Sequence, residues 1–189
     1  PSLSQPADYW SQYHGGCYRS EYDVDTAVSE DRLKALGDRL THPPSDFHPH
    51  PKIVRLLQQR FEMIMGKRAV DFGAAETLAF ATLLEDGVPV RLSGQDSVRG
   101  TFSQRHAVLV DVANERRHCP LAQVASDGTR FEVYNSPLSE AAVLGFEYGY
   151  SRDYPETFVL WEAQFGDFAN NAQVIIDQFI ASAEDKWRR

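Results

Sequence analysis

From residue 51 onward, short apolar runs of strand length alternate with longer stretches of helical periodicity, and that alternation leaves few folds open. Ile53, Leu56, Leu57, Phe61 and Ile64 repeat at helical spacing and stop near Gly66. Asp71 stands as the N-cap of a second helix, with Leu78, Ala79, Thr82 and Leu83 on its inner side. Val88–Leu92 and Ala107–Val110 read as strands, and Arg130–Tyr134 alternates as another before a helix from Ser139 to about Tyr150. Thr157–Trp161 is a compact apolar strand. A long helix from Ala169 to about Glu184 then carries Ala172, Ile175, Ile176, Phe179, Ile180 and Ala183 on one face. Strands separated by helices of this length predict an α/β fold, a three-layer sandwich with a mostly parallel central sheet.

The first 50 residues differ. Pro1–Asp25 is rich in Tyr, Ser and Gly, with a turn at Gly15–Gly16 and no sustained period. Ser29 is positioned to cap a short helix whose Leu33, Leu36 and Leu40 share a face and whose Glu30 and Asp31 suit the positive end of the dipole. Thr41–Pro51 holds four prolines and breaks any helix. This divides the chain into an N-terminal arm and linker, 1–50, and an α/β unit, 51–189. His42, His48 and His50 lie in the linker, but no carboxylate or thiolate completes a set at ligand spacing, so no metal is expected.

Composition limits the partners. Against 19 Lys and Arg stand 27 Asp and Glu, a net charge of −8, which argues against nucleic acid and anionic membranes. The two cysteines, Cys17 and Cys119, form neither a disulfide framework nor a zinc motif and suit a reducing compartment. No apolar run reaches the roughly 18 residues of a membrane span. The N-terminus has no signal-peptide pattern and no initiator Met, so a soluble intracellular module, processed or cut from a longer chain, is expected.

Open α/β sheets bind ligands at the turns that follow their strands. The turns here are Ser93–His106, Asn135–Glu140 and Trp161–Phe168. Neither GxGxxG nor GxxxxGK[ST] occurs, so neither a dinucleotide nor a nucleoside triphosphate is supported. Glu140, behind Ser139 at a helix start, suits the helix dipole; its apolar neighbours Pro137, Leu138 and Ala141–Val143 equally suit a carboxyl kept from water as a proton relay. Phe165 and Phe168 are either core rings or a stacking surface for a flat heterocycle. His106 is open to core, charge-pairing and acid roles.

Three strings carry a resemblance: RLSGQDSVRGTFSQRHAVL, FEVYNSPLSEAAVLGFEYGYS and FVLWEAQFGDFANNAQVIIDQFIASAEDKW. In that order they resemble the thiamine diphosphate-dependent decarboxylating dehydrogenase component of the 2-oxoglutarate dehydrogenase complex. The likeness is tightest from Asp71 to Trp187 and extends loosely upstream through Trp10, Gly15–Gly16 and His50–Lys52. In that family the stretch is the transketolase-like pyrimidine-binding domain. The family's preceding domain, with its Gly-Asp-Gly…Asn motif for magnesium and diphosphate, has no counterpart in these residues, nor has its C-terminal domain.

The resemblance implies roles. Glu140 matches the glutamate that hydrogen-bonds the aminopyrimidine ring and controls its tautomer, a task suited to a carboxyl of raised pKa. Phe168, with Phe165 and Gln164, matches the loop packed on that ring, and Gln95 and His106 belong to an active-site segment. Many members of the family have His where Gln104 stands, Gly where Asn171 stands, and a second acid where Ala141 stands. The implied activity is oxidative decarboxylation of 2-oxoglutarate in the citric acid cycle, with succinyl transfer to lipoyl-lysine of a partner subunit. The site is then shared with a second copy or with the diphosphate-binding domain, so the piece alone is expected to be nearly inactive. The implied compartment is the cytoplasm of a bacterium or the mitochondrial matrix. A 2-oxoadipate dehydrogenase would share every motif, and a non-catalytic dimerisation or docking module would leave Glu140 a dipole residue.

Overall fold

The computed structural model describes residues 10–13 and 16–187, so Gly15 of the expected Gly15–Gly16 turn lies outside the described residues. After a short 3-10 turn at Ser20–Tyr22 come α1 (Glu30–Thr41), α2 (Pro51–Ile64) and α3 (Phe72–Glu85), followed by β1 (Val90–Gly94). Asp71 caps α3 as its sequence suggests, its Oδ1 accepting from the Ala74 amide at 2.8 Å. Pro51 opens α2 at the first helical position, where its missing N–H costs nothing.

The central sheet has three strands, all parallel. β1 lies between β4 (Phe131–Asn135) and β5 (Phe158–Glu162), with Val90 level with both Phe131 and Phe158. Side chains alternate across this sheet, and its two faces differ in chemistry. On one face Val90 and Leu92, with Phe131, Val133 and Leu160 beside them, meet Leu36 and Leu40 of α1, Leu78, Phe80, Ala81 and Leu84 of α3, and Leu121 and Val124 of α4 (Pro120–Val124). This is the main core; Ala81, Leu84 and Val90 are wholly buried. The helix preceding the prolines thus contributes Leu36 and Leu40 to that core.

The opposite face is covered by α5 (Glu140–Asp153) and is polar and aromatic. Arg91 donates to Glu147 at 2.7 and 3.1 Å, and its guanidinium lies over the rings of Tyr134, Phe146 and Tyr150. Helices, sheet and α5 make the expected three layers.

Two local expectations change. Ala107–Val110 is not a strand of the parallel sheet: only Leu109–Val110 (β2) is extended, and it pairs antiparallel with Arg117–His118 (β3). The Ala107 amide is instead used to close the preceding loop, donating to the Val98 carbonyl at 2.8 Å. The helix expected from Ala169 is also not continuous. Phe168–Ala172 and Ile176–Ile180 are wide π turns around α6 (Gln173–Ile175), and α7 (Ala183–Trp187) follows. Asn170 and Asn171 leave helical geometry, Asn171 with φ of 77°, a left-handed conformation that Asn tolerates better than most residues.

The proline-rich segment is clamped rather than loose. Phe47 packs with Leu57 and Leu109, Pro49 bridges to Asp111, and Asp46 pairs with Arg116 at 2.8 Å. Its histidines have separate partners: His42 meets Asp38, His48 meets Asp111, and His50 caps α2 by accepting from the Lys52 amide. Among the described residues no helix is long and apolar enough to cross a membrane.

Candidate functional site at the carboxyl edge of the sheet

The strands end level with one another, Gly94 opposite Asn135 on one side and Glu162 on the other. Three loops therefore leave the sheet at one edge, the edge where parallel sheets place ligands. The loop after β1 carries Gln95 and His106, the turn after β4 leads into Glu140, and the turn after β5 carries Gln164, Phe165 and Phe168. Gly94 makes their convergence possible. Its φ is 148°, and a Cβ there would lie 2.4 Å from the Glu162 carbonyl oxygen.

The loops are tied to each other. The Ser136 amide donates to the Gly94 carbonyl at 2.8 Å, and the Val98 amide to Asn135 Oδ1 at 2.9 Å. Gln164 joins the β1 and β5 loops: its Oε1 accepts from Thr101 Oγ1 at 2.8 Å, and its Nε2 donates to the Gln95 carbonyl at 3.2 Å. Gln95 and Gln164, far apart in sequence, thus become neighbours.

Glu140 occupies the first turn of α5, half-buried, and its side chain has no hydrogen bond or ion pair among the described residues. The Ser139 side chain makes no capping bond, so it does not engage the first amides of α5. α5 packs against the Phe168–Ala172 turn, which brings the helix bearing Glu140 against the aromatic loop. Of the two rings, Phe165 is wholly exposed and Phe168 half-exposed, the latter set edge-on to Trp161 with centroids 6.1 Å apart. Neither is a core ring.

His106 faces elsewhere. It lines an open groove of about 470 Å³ with Ser103 and with His50, Lys52 and Arg55 from the start of α2; Glu140 and Phe168 are not among its walls. Burial, and then the charges of Arg60 and Arg99, push its pKa below the ordinary histidine value.

Beneath the loops lies a charge cluster that the motifs did not flag. Arg105, 3% exposed, donates to Glu76 of α3 at 2.7 and 2.9 Å and to Glu162 at 2.6 and 3.1 Å. Burial opposes its charge, but the two carboxylates outweigh that and hold its pKa above the ordinary value. The available signal was two acids inside mainly apolar strings, Glu76 in AAETLAF and Glu162 in FVLWEAQF; Arg105, in the polar run Ser103–His106, gives none.

A flat, uncharged aminopyrimidine needs a ring to lie on and a carboxyl to bond. The exposed Phe165 and Phe168, and Glu140 with no partner among the described residues, are side chains of those two kinds, set at one sheet edge. Among the described residues no group of three or more His, Cys, Asp and Glu side chains is arranged to hold a metal ion.

Parallel strands with helices on both faces define an α/β domain, a class that places ligands at this edge. Residues 68–189 match the family described as transketolase, pyrimidine binding domain, and the chain belongs to that family. Among curated proteins it is 56% identical over 164 residues to the 2-oxoglutarate dehydrogenase E1 component of Geobacillus sp. (strain WCH70). It is 53% identical over 165 residues to that of Geobacillus kaustophilus and 52% over 164 residues to that of Brucella anthropi. Each match covers 87% of this chain but only 16 or 17% of the relative, so the chain spans about a sixth of their length.

Proposed function

We propose that the chain supplies the aminopyrimidine-binding half of a thiamine diphosphate site in a 2-oxo acid dehydrogenase acting on 2-oxoglutarate. The observation that carries this reading is the half-buried carboxylate of Glu140, without a partner among the described residues, on a helix packed against the exposed aromatic turn at Phe168. Residues 51–189 form the binding unit in this proposal, with 1–50 as the arm and linker before it.

Glu140 holds a proton against a ring nitrogen of the aminopyrimidine and so selects the ring's tautomer. Phe165 and Phe168 give the ring a face and exclude water from it, with Trp161 bracing Phe168 from the edge. Gln164, fixed by Thr101 and the Gln95 carbonyl, sets the height of that aromatic turn. Gln95 serves the reacting 2-oxo acid from the neighbouring loop, and His106 would serve it only from the groove at the start of α2. When bound, the cofactor supplies the electron sink for decarboxylation. Its diphosphate and magnesium are held outside this chain, by a second copy or by a diphosphate-binding domain, and the succinyl group passes to a lipoyl-bearing partner subunit.

The test is Glu140→Gln and Glu140→Ala in the full-length enzyme. The expected result is loss of carbon dioxide release and of solvent exchange at the cofactor's thiazolium carbon, with the oligomer intact by light scattering. Unchanged turnover would refute the reading and leave a docking module. Turnover of 2-oxoglutarate against 2-oxoadipate by the same enzyme decides the substrate, and the 189-residue chain alone is expected to release no carbon dioxide.

A further inference from the structure

The loop from Gly94 to His106 is unusual in its backbone. Asp96, Ser103 and His106 have φ of 61°, 55° and 49°, and Gly94 and Gly100 are also positive. Three non-glycine residues in a left-handed conformation within so short a loop cost free energy, and such a conformation persists only where surrounding contacts over-determine it. Two buried arginines supply those contacts. Arg60, 6% exposed, reaches from α2 to the carbonyls of Gln104 and Arg105 at 2.5 and 2.9 Å. Arg105 spans Glu76 and Glu162 and also donates to the Ser97 carbonyl at 2.7 Å. The close passage of Gln104 over α3 requires Gly73, where a Cβ would lie 2.4 Å from the Gln104 carbonyl oxygen.

We propose that Arg105 is a positioning residue for the site. Clasped between Glu76 of α3 and Glu162 at the end of β5, it locks the left-handed loop and thereby fixes where Gln95, Gln164 and His106 stand relative to the strand ends. The inference rests on the thiamine diphosphate reading above and adds to it a residue that touches neither cofactor nor substrate. Glu162 is the last residue of β5, so one guanidinium joins the loop after β1 to the start of the aromatic turn and to the helix layer beneath. Its planar fork satisfies two carboxylates at once, which the point charge of lysine does not. A second tie, Thr101 to Gln164, spans the same two loops but is exposed and uncharged, so it does not replace the clasp.

The experiment uses the full-length enzyme with Arg105→Lys, Glu76→Gln and, as reference, Glu140→Gln. The readouts are kcat, the half-saturating cofactor concentration, and amide hydrogen exchange in peptides covering 95–107 and 78–92, well below the melting temperature. For Arg105→Lys, kcat falls about tenfold or more, as misplacement of a reacting group by a fraction of an ångström would cause. Cofactor half-saturation rises, because Gln164 and the aromatic turn it fixes shift with the loop, and exchange accelerates in 95–107 but not in 78–92. Glu76→Gln acts in the same direction and more weakly, because Glu162 remains; if Arg105→Lys does not accumulate as folded protein, Glu76→Gln decides by the same readouts. An unchanged kcat, or exchange accelerated equally in both peptides, overturns the positioning role. If Glu140→Gln is inactive while Arg105→Lys is normal, only this inference fails. If Glu140→Gln is fully active, the cofactor reading fails, and the local exchange pattern still decides whether the clasp holds the loop.

Discussion

Replacing Glu147 with Ala tests the polar face of the sheet. Glu147 is 3% exposed, and its carboxylate is the near partner of Arg91 at 2.7 Å; after its removal Arg91 retains, among the described residues, Glu132 at 3.6 Å and the rings around it. Removing one member of a buried pair costs about 3–5 kcal/mol, because the other charge stays desolvated. The remaining carboxylate and the three rings soften that loss, so about 3 kcal/mol is expected. For a domain of this size each kcal/mol lowers Tm by roughly 2–4 °C, which places the change at roughly 6–12 °C. Thermal unfolding followed by circular dichroism measures it. The paired replacement Arg91→Met with Glu147→Leu removes both charges and is expected to recover most of the loss. A Glu147→Ala change below about 1 kcal/mol, or a double variant as unstable as the two single variants summed, would refute the claim that the pair is a desolvated unit.

Gly94→Ala is expected to disrupt the site edge as well as stability. The new Cβ would meet the Glu162 carbonyl at 2.4 Å and Ser97 Oγ at 2.8 Å in a backbone conformation that Ala avoids, at a cost of about 2 kcal/mol or more, and exchange at the Ser136 amide should rise with it. Acid should release the proline-rich segment. Burial opposes ionisation of Asp111, but the Ala113 and His48 amides and the His48 ring outweigh it and hold the carboxyl below its ordinary value. The stabilisation is therefore fully present above pH about 4 and is lost as pH falls through the lowered folded value. Amide exchange over residues 46–50 should accelerate across that window; in Asp111→Asn it should be fast already at neutral pH, and an unaltered profile in that variant would contradict the clamp.

Much of the site was legible locally. Glu140 behind Ser139, the Phe-Gly-Asp-Phe turn and the Gln95–His106 string are contiguous motifs, and each lies in the segment that follows one of the three parallel strands. The placement of His106 was not legible, because its groove is built by residues 50–55 from the start of another helix. Nor was the Arg105 cluster: Glu76 and Glu162 stand in mainly apolar strings, but nothing local pairs them with Arg105 until α3 and β5 are packed against the same loop. The extra strand at Ala107–Val110 and the unbroken helix from Ala169 were misread for a common reason. Periodicity reports which residues are apolar, whereas loop closure at Ala107 and the left-handed turn at Asn171 are backbone events with no period.

The chain alone determined α1, α2, α3 and α5, the three strands of the parallel sheet and the motifs at their ends, since these follow from side-chain type and spacing along the backbone. Tertiary packing decided which loops meet, which carboxylate is left without a partner and which arginine is buried between two acids. Those properties depend on distances between residues 29 to 69 positions apart in sequence, which no local pattern encodes.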